Sequence, residues 1–333
     1  MAVSVTILIV TFNSRRFYPR LKAALEAQTI PFELIVVDNA SRPEDRPTAE
    51  DFPAGALILQ QDANLGFAAG NNVAARAAQT DYIALLNPDA FPAPDWLERL
   101  LEATTRYPAD TLFGSTQLLD ADPSRLDGEG DVMHAIGFPY RGGHRRPIET
   151  AQPEERETFS ACAAAMLIRR EVFLGLGGFD EDYFCYVEDV DFGFRLRLAG
   201  GRSVQVPGSV VRHVSGGSSS AHSGFADFHG ARNRIWTFVR CMPGPLFWLL
   251  APVHAAATLA LLAVHTMQGR RGSWRGAAAG LQGLPLAFRK RRAAQQARRA
   301  SLVEIARALA WSPLVLIGRR PVLRRLAARD RPD

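Results

Sequence analysis

Apolar runs broken by polar punctuation set the rhythm of the first hundred residues. Val5 to Val10 is an uninterrupted aliphatic run that reads as a strand buried on both faces. Phe17 to Gln28 then carries apolar positions at helical spacing, and Leu34 to Val37 and Ala56 to Leu59 are further short strands. A helix over Ala68 to Gln79, a strand Tyr82 to Leu86 and a helix opening at Pro94 and running to Arg106 complete the series. This alternation predicts an α/β fold with a mostly parallel central sheet. Ligands gather outside the carboxyl ends of such strands, and here those ends read Thr11-Phe12-Asn13, Asp38-Asn39 and Asn87-Pro88-Asp89.

Residues 120 to 158 lose this regularity and become rich in Gly, Pro and charge, as in Asp127-Gly128-Glu129-Gly130 and Arg141-Gly142-Gly143-His144. The expectation is a long, mobile surface excursion of the kind that forms lids or acceptor-site walls. From Phe159 the pattern resumes with a strand Ala161 to Ile168, a short helix near Arg170, a turn at Gly175 to Gly178 and a strand Ser203 to Val214. Between the last two lies Glu188-Asp189-Val190-Asp191, three carboxylates in four positions. A helix from Asp191 onward places Glu188 and Asp189 at its N-terminal end, where the helix dipole keeps a carboxylate ionised and able to accept a proton. An acidic N-cap with a solvated first turn is the alternative reading. Asp191 is placed to cap that helix or to pair with Arg195.

Composition sharpens the picture without changing it. A chain of 333 residues with 47% hydrophobic content buries one large core or two smaller ones, which excludes a disordered chain. Cys162, Cys185 and Cys241 show neither paired nor metal-ligand spacing, which fits a reducing cytoplasm. Met1 to Val10 lacks the basic start of a signal peptide.

Charge divides the chain. Residues 1 to 227 carry 20 Lys/Arg against 31 Asp/Glu, a net of −11, whereas residues 228 to 333 carry 19 against 3, a net of +16. No nucleic-acid-binding motif accompanies the basic part, and Leu246 to Met267, a charge-free apolar run of 22 residues, lies beside it. Pro252, His254 and His265 interrupt that run and Arg residues flank both ends, so in-plane or hairpin-like burial at an anionic membrane surface is expected rather than a crossing. Arg289-Lys290-Arg291-Arg292 and Arg298-Arg299 would meet headgroups, with Leu302, Val303, Ile305 and Leu309 as an apolar face. Packing of these helices on the rest of the chain is the competing reading. The expected division is a catalytic unit over 1–240 and a helical, Arg-rich region over 241–333.

Several residues have a chemistry of their own. Asp38 at a strand end can accept a hydrogen bond from the N3–H of uracil or thymine, or can stabilise a turn. The glycines and alanines of Asn64 to Asn72 allow close backbone approach to an anion, or an ordinary helix start. Asn87-Pro88-Asp89 offers one carboxylate to a hard cation, or forms a turn. A dinucleotide-dependent dehydrogenase is excluded, because no glycine fingerprint follows the first strand.

Taken in order, these segments resemble the family 2 glycosyltransferases of GT-A fold, in their bacterial rhamnosyltransferase-like branch. The resemblance rests on Val5 to Ser14, Ile35 to Ser41, Asn64 to Asn72, Leu85 to Asp89, Gly177 to Glu181, Glu188 to Asp191, and His213 with Arg232-Asn233, and covers residues 3 to about 240. It implies a Rossmann-like nucleotide-diphospho-sugar transferase fold with a helical membrane-associating extension. Asp189 would be the catalytic base of an inverting displacement. Thr11, Phe12, Asn13, Asp38, Asn64, Gly66, Gly70, Asn71, Asn87 and Asp89 would bind the donor, a dTDP- or UDP-sugar with dTDP-rhamnose the best guess. Asp89 and His213 would hold a divalent metal, Mg2+ or Mn2+, although Asn87 replaces the first Asp of the usual Asp-x-Asp. Glu188 and Arg232 would support a glycan or lipid-linked glycan acceptor in cell-surface polysaccharide synthesis, at the cytoplasmic face of the membrane. A catalytically silent scaffold of the same fold is the alternative.

Overall fold

The computed structural model describes residues 4–215 and 224–326. The first apolar run forms β1 (Val5–Thr11), buried along its whole length. Ile7 and Ile9 face one core with Tyr18 and Trp96, while Leu8 and Val10 face another with Ala74, Phe173 and Phe192. The two-residue period of a strand therefore feeds both layers, which is why the run cannot alternate with polar residues. After α1 (Tyr18–Glu26) come β2 (Glu33–Asp38) and β3 (Leu57–Gln60), then α2 (Gly66–Ala77) and β4 (Tyr82–Leu86). The four strands are parallel, with β1 between β4 and β2. Helix α2 begins at Gly66 rather than Ala68.

The sheet continues through β5 (Ala90–Pro92), α3 (Trp96–Thr104), β6 (Thr111–Leu119) and β7 (Asp122–Gly128). A separate hairpin of β8 (Asp131–His134) and β9 (Phe138–Arg141) precedes β10 (Arg156–Thr158), β11 (Ala165–Arg169), α4 (Arg170–Gly175), α5 (Glu188–Leu198) and β12 (Arg202–His213). The ten-stranded sheet runs β10-β12-β6-β11-β4-β1-β2-β3, with β5 on β12 and β7 on β6. Strand β11 is antiparallel to both its neighbours, and β12 is parallel to β6. The fold is α/β and GT-A-like.

Residues 120 to 158 correct the expectation of a loose excursion. Strand β7 joins the main sheet, and Leu126, Val132 and Met133 are buried. Asp127, Glu129, Asp131 and His134 are buried as well. Asp127 and Glu129 meet Arg141, His144 and Gln152 across the segment's own turns and Asp127 also meets His213, pairings over 14 residues or more that no local periodicity reveals. Strand β11 starts later than Ala161, because residues 163 and 164 form a turn in which Ala163 N donates to Asp189.

The remaining helices are α6 (Gly224–Cys241), α7 (Gly244–Met267), α8 (Gly272–Gln282), α9 (Leu284–Gln296), α10 (Leu302–Ala308) and α11 (Pro313–Ile317). They share a third core with the sheet domain, in which Phe159, Phe194 and Leu198 meet Phe238, Phe247, Leu262, Ile305 and Leu309. Ile305 and Leu309 thus pack on protein, not on a membrane, while Val303 stays exposed. In the basic run Lys290 pairs with Asp180 and Asp182, and Arg291 donates to the carbonyls of Val239 and Met242.

Helix α7 is one continuous helix, which overturns the hairpin-like alternative. It is long and apolar enough to cross a membrane, yet Phe247, Leu250, His254, Thr258 and Leu262 form a stripe buried against the protein. His254 Nδ1 bonds the Ile136 carbonyl at 2.7 Å, and His265 Nδ1 bonds Ser273 Oγ at 2.6 Å. His254 Nε2 and Thr258 Oγ1 stay buried without a partner, and the opposite face of the helix leaves Trp248, Leu249, Val253, Leu259 and Met267 exposed.

Candidate active site

A cleft of about 550 Å3 opens at the carboxyl ends of β1, β2 and β4. Its far wall is the entry to α5, where the backbone is strained. Phe184, Tyr186 and Val187 all have φ between 63° and 71°, a left-handed conformation that L-residues avoid and a β-branched valine avoids most. Asn233 Nδ2 holds the turn by donating to the carbonyls of Tyr183, Cys185 and Tyr186 at 3.0, 2.9 and 2.7 Å. Arg232 donates to the carbonyls of Asp182 and Tyr183. Across the cleft the Phe184 carbonyl accepts from Ala68 N at 3.1 Å, and a Cβ on Gly66 (φ +83°) would meet Phe184 at 2.6 Å. The glycine is required by close approach to this turn.

The strain aims the first turn of α5 into the cleft. Helix α5 starts at Glu188, and its acidic turn is not solvated, since Glu188 is 5% and Asp191 0% exposed. Asp189 accepts from Ala163 N at 3.1 Å and Val190 N at 2.8 Å. Burial pushes its carboxyl above the ordinary range, against the lowering effect of those amides and of Arg141. That corrects the expectation of a carboxylate held ionised simply by the helix end. Burial and the neighbouring Asp189 push Glu188 and Asp131 well above it too. Two residues on, burial is outweighed by Arg240 and Arg195, and Asp191 is held low; Arg195 Nε sits 2.7 Å from it, the expected pairing.

Asp131, Cys162 and Asp189 place ligand atoms within 4.8 Å of one another, a cluster able to hold a metal ion. Burial pushes the Cys162 thiol up, however, and Arg141 Nη2 donates to its Sγ at 2.9 Å. A protonated thiol under a guanidinium suits a hard cation poorly.

A second group suits it better. The β5–β12 register pairs Ala90 with His213, which sets Asp89 against the imidazole. His213 Nε2 lies 3.4 Å from Asp89 Oδ1, and His213 Nδ1 is bonded to Asp127 Oδ2 at 2.7 Å. With Nδ1 bonded to Asp127, Nε2 is the nitrogen turned toward Asp89, an orientation common in metal-binding histidines. Burial lowers the His213 pKa, but hydrogen bonds to Asp127 and Asp89 raise it to about 9. Asp127 itself, though buried, is held well below the usual carboxylate range by Arg141, His144 and His213. One carboxylate and one imidazole side by side, on a cleft that also holds Asn87, fit a divalent cation that takes its other ligands from substrate oxygen and water.

Of the residues singled out from sequence, Thr11, Phe12, Asn64, Gly66, Asn87, Asp89, Glu188, Asp189 and His213 line this cleft together. Asn13, Asp38, Gly70, Asn71 and Arg232 do not. Asp38 is fully buried and accepts from Thr11 Oγ1, Ser41 N, Ser41 Oγ and Gln60 Nε2. Asn13 bridges to Ser41 and Arg42, Asn71 donates to the Phe67 carbonyl, and a Cβ on Gly70 would meet Val10 at 2.7 Å. These five build the frame. The start of α2 is also less open than expected, since Gly66 N goes to Asn64 Oδ1 and Ala68 N to Phe184. Sequence reasoning gave no individual role to Asn39, Asp127, Asp131, Tyr140, Arg141 or Phe225. The only signal for the middle four was the cluster of charge and glycine between residues 127 and 144.

Comparison with known proteins completes the description. The model of glycosyl transferase family 2 matches residues 6–176. N-acetylglucosaminyl-diphospho-decaprenol L-rhamnosyltransferase of Mycobacterium tuberculosis is 30% identical over 277 residues, spanning 74% of this chain and 87% of that protein. The rhamnosyltransferase WbbL of Escherichia coli is 28% identical over 225 residues, spanning 63% and 83%. Among solved structures, a mannosyltransferase from Pyrobaculum calidifontis in complex with GDP-Man and Mn2+ superposes with a TM-score of 0.52 at 19% identity, over 91% of this chain and 85% of that one.

Proposed function

The chain belongs to glycosyl transferase family 2 and is related to bacterial rhamnosyltransferases, and from that premise we propose an inverting transfer of a sugar, rhamnose from dTDP-rhamnose as the first choice, to a hydroxyl of a glycan or lipid-linked glycan. One observation carries the reading: the Asp189 carboxyl opens into the same cleft as the Asp89–His213 pair. Asp189 takes the proton of the acceptor hydroxyl as that oxygen attacks the anomeric carbon. Its raised pKa makes it a stronger base than a solvent-exposed aspartate. Burial and Asp189 push the Glu188 and Asp131 carboxyls well above the ordinary range, which works against a second negative charge beside the attacking oxygen. Thr11, Phe12, Asn39, Asn64 and Gly66 line the donor side, and Asn39 Oδ1, buried without a partner, offers an acceptor to a pyrimidine N3–H.

Asp89 and His213 would hold Mg2+ or Mn2+, which when bound supplies positive charge against the departing nucleoside diphosphate. The exposed apolar face of α7 lies against the cytoplasmic surface of an anionic membrane, where a lipid-linked acceptor is found. The test is donor hydrolysis and transfer by the full chain across dTDP-, UDP- and GDP-sugars, with each metal and with chelator. Turnover of one nucleotide class, lost on chelation, is the expected result; metal-independent turnover removes the assignment of Asp89 and His213. Salt-sensitive flotation with phosphatidylglycerol vesicles checks the membrane contact.

A further inference from the structure

A second cavity of about 810 Å3 lies where α7 ends and α8 begins, lined by Gly224, Phe225, Asp227, Phe228 and residues 268 to 272 with Arg275. It shares Phe225, Asp227 and Arg270 with the catalytic cleft, so the two form one continuous depression. Three arginines stand in it. Arg270 is neutralised, since its Nε sits 3.0 Å from Asp227 Oδ2 and its Nη2 also bonds that carboxylate. Arg271 and Arg275 are exposed, and among the described residues no acidic group pairs with either.

The position of this charge is informative. It follows directly on Met267, the 89% exposed end of the apolar helix, and Trp274 beside it is 48% exposed. A ligand reaching from a membrane to the base therefore passes uncompensated guanidinium groups after leaving the apolar surface and before entering the cleft. Guanidinium forks match phosphate oxygens, and here they are spaced by one helical turn. A neutral lipid glycoside would leave this charge unused.

We propose that Arg271 and Arg275 bind the diphosphate of an isoprenoid-linked acceptor, whose tail follows the exposed face of α7 and whose sugar enters the cleft past Phe225. This rests on the lipid-linked acceptor reading above and locates its phosphate subsite. Binding of farnesyl diphosphate, farnesol and dTDP to the full chain in detergent tests it. Arg271→Ala with Arg275→Ala should weaken farnesyl diphosphate about tenfold or more while farnesol is unaffected. Unchanged affinity for farnesyl diphosphate overturns the proposal. So does displacement of farnesyl diphosphate by dTDP, which would give the arginines to the donor. Loss of flotation with phosphatidylglycerol vesicles alongside intact farnesyl diphosphate affinity also overturns it, because the arginines would then read only bulk membrane charge. A chain that binds farnesyl diphosphate through these arginines yet turns over no nucleotide sugar would sink the transferase reading and leave the subsite standing.

Discussion

The two sides of the cleft treat their polar groups in opposite ways. On the β1–β2 side Asp38, Asn13 and Asn71 spend their hydrogen bonds on their own chain. On the β4–β12–α5 side Asn87 Oδ1, Asp131 Oδ2 and Glu188 Oε2 are buried without partners, and burial pushes three carboxyls up. Unpaired buried polar atoms are costly, so they mark where a ligand or cation completes the structure. The first side is mainly a frame that positions backbone, with Asn39 Oδ1 left open to a ligand; the second, unsaturated side is where charge changes hands. Asp189 and Asp191 repeat the contrast within one helical turn: burial outweighs Arg141 at Asp189 and raises it, while Arg240 and Arg195 hold the fully buried Asp191 low.

The largest effect should come from the unsaturated side. Asp189→Asn keeps the size and the fold but cannot take a proton, and kcat should fall by about 10²–10⁴-fold with donor affinity nearly unchanged. Comparable turnover in that variant would remove the base. Asp89→Ala should lower metal-dependent turnover on the order of a hundredfold, and His213→Ala less, since it removes a neutral ligand. Equal loss with and without added Mn2+ would argue that neither touches the metal.

Asp127→Asn probes the orientation of His213 without touching the cleft-facing nitrogen. An activity loss of about 10–100-fold, partly recovered by raising Mn2+, is expected; a loss indifferent to metal concentration would reduce Asp127 to a packing role. The smallest functional effect belongs to the frame. Asp38→Asn should cost about 1–3 kcal/mol of stability, read by denaturant unfolding, while the affinity for dTDP stays unchanged. If dTDP affinity falls instead, Asp38 contacts the base and the contrast between the two sides fails.

Much of the frame was legible along the chain. The run Val5–Val10 and the segment Tyr82–Leu86 could only be buried strands, and polar residues at their ends could only gather at one edge of a parallel sheet. Glu188 and Asp189 stood out because charge concentrated beside apolar sequence needs a reason, whereas the roles of Asp89 and His213 came from the family resemblance. Local pattern could not tell which of the polar groups at the sheet edge would be consumed by the fold. Asp38 ends β2 and Asp89 lies in the turn after β4, yet one meets Thr11, Ser41 and Gln60 while the other meets a histidine 124 residues away.

The sequence by itself determined the alternation of strands and helices over the first hundred residues, the acidic cluster at the start of α5 and the basic, apolar character of the C-terminal part, because periodicity and charge are local properties. Only the tertiary structure decided that the charged segment around Asp127 becomes the wall behind His213, that Ile305 and Leu309 belong to a core, and that Arg271 and Arg275 face a cavity opening into the cleft. Each of those outcomes depends on which distant atoms arrive beside a given side chain, and burial and partnership, unlike periodicity, are properties of the packed chain.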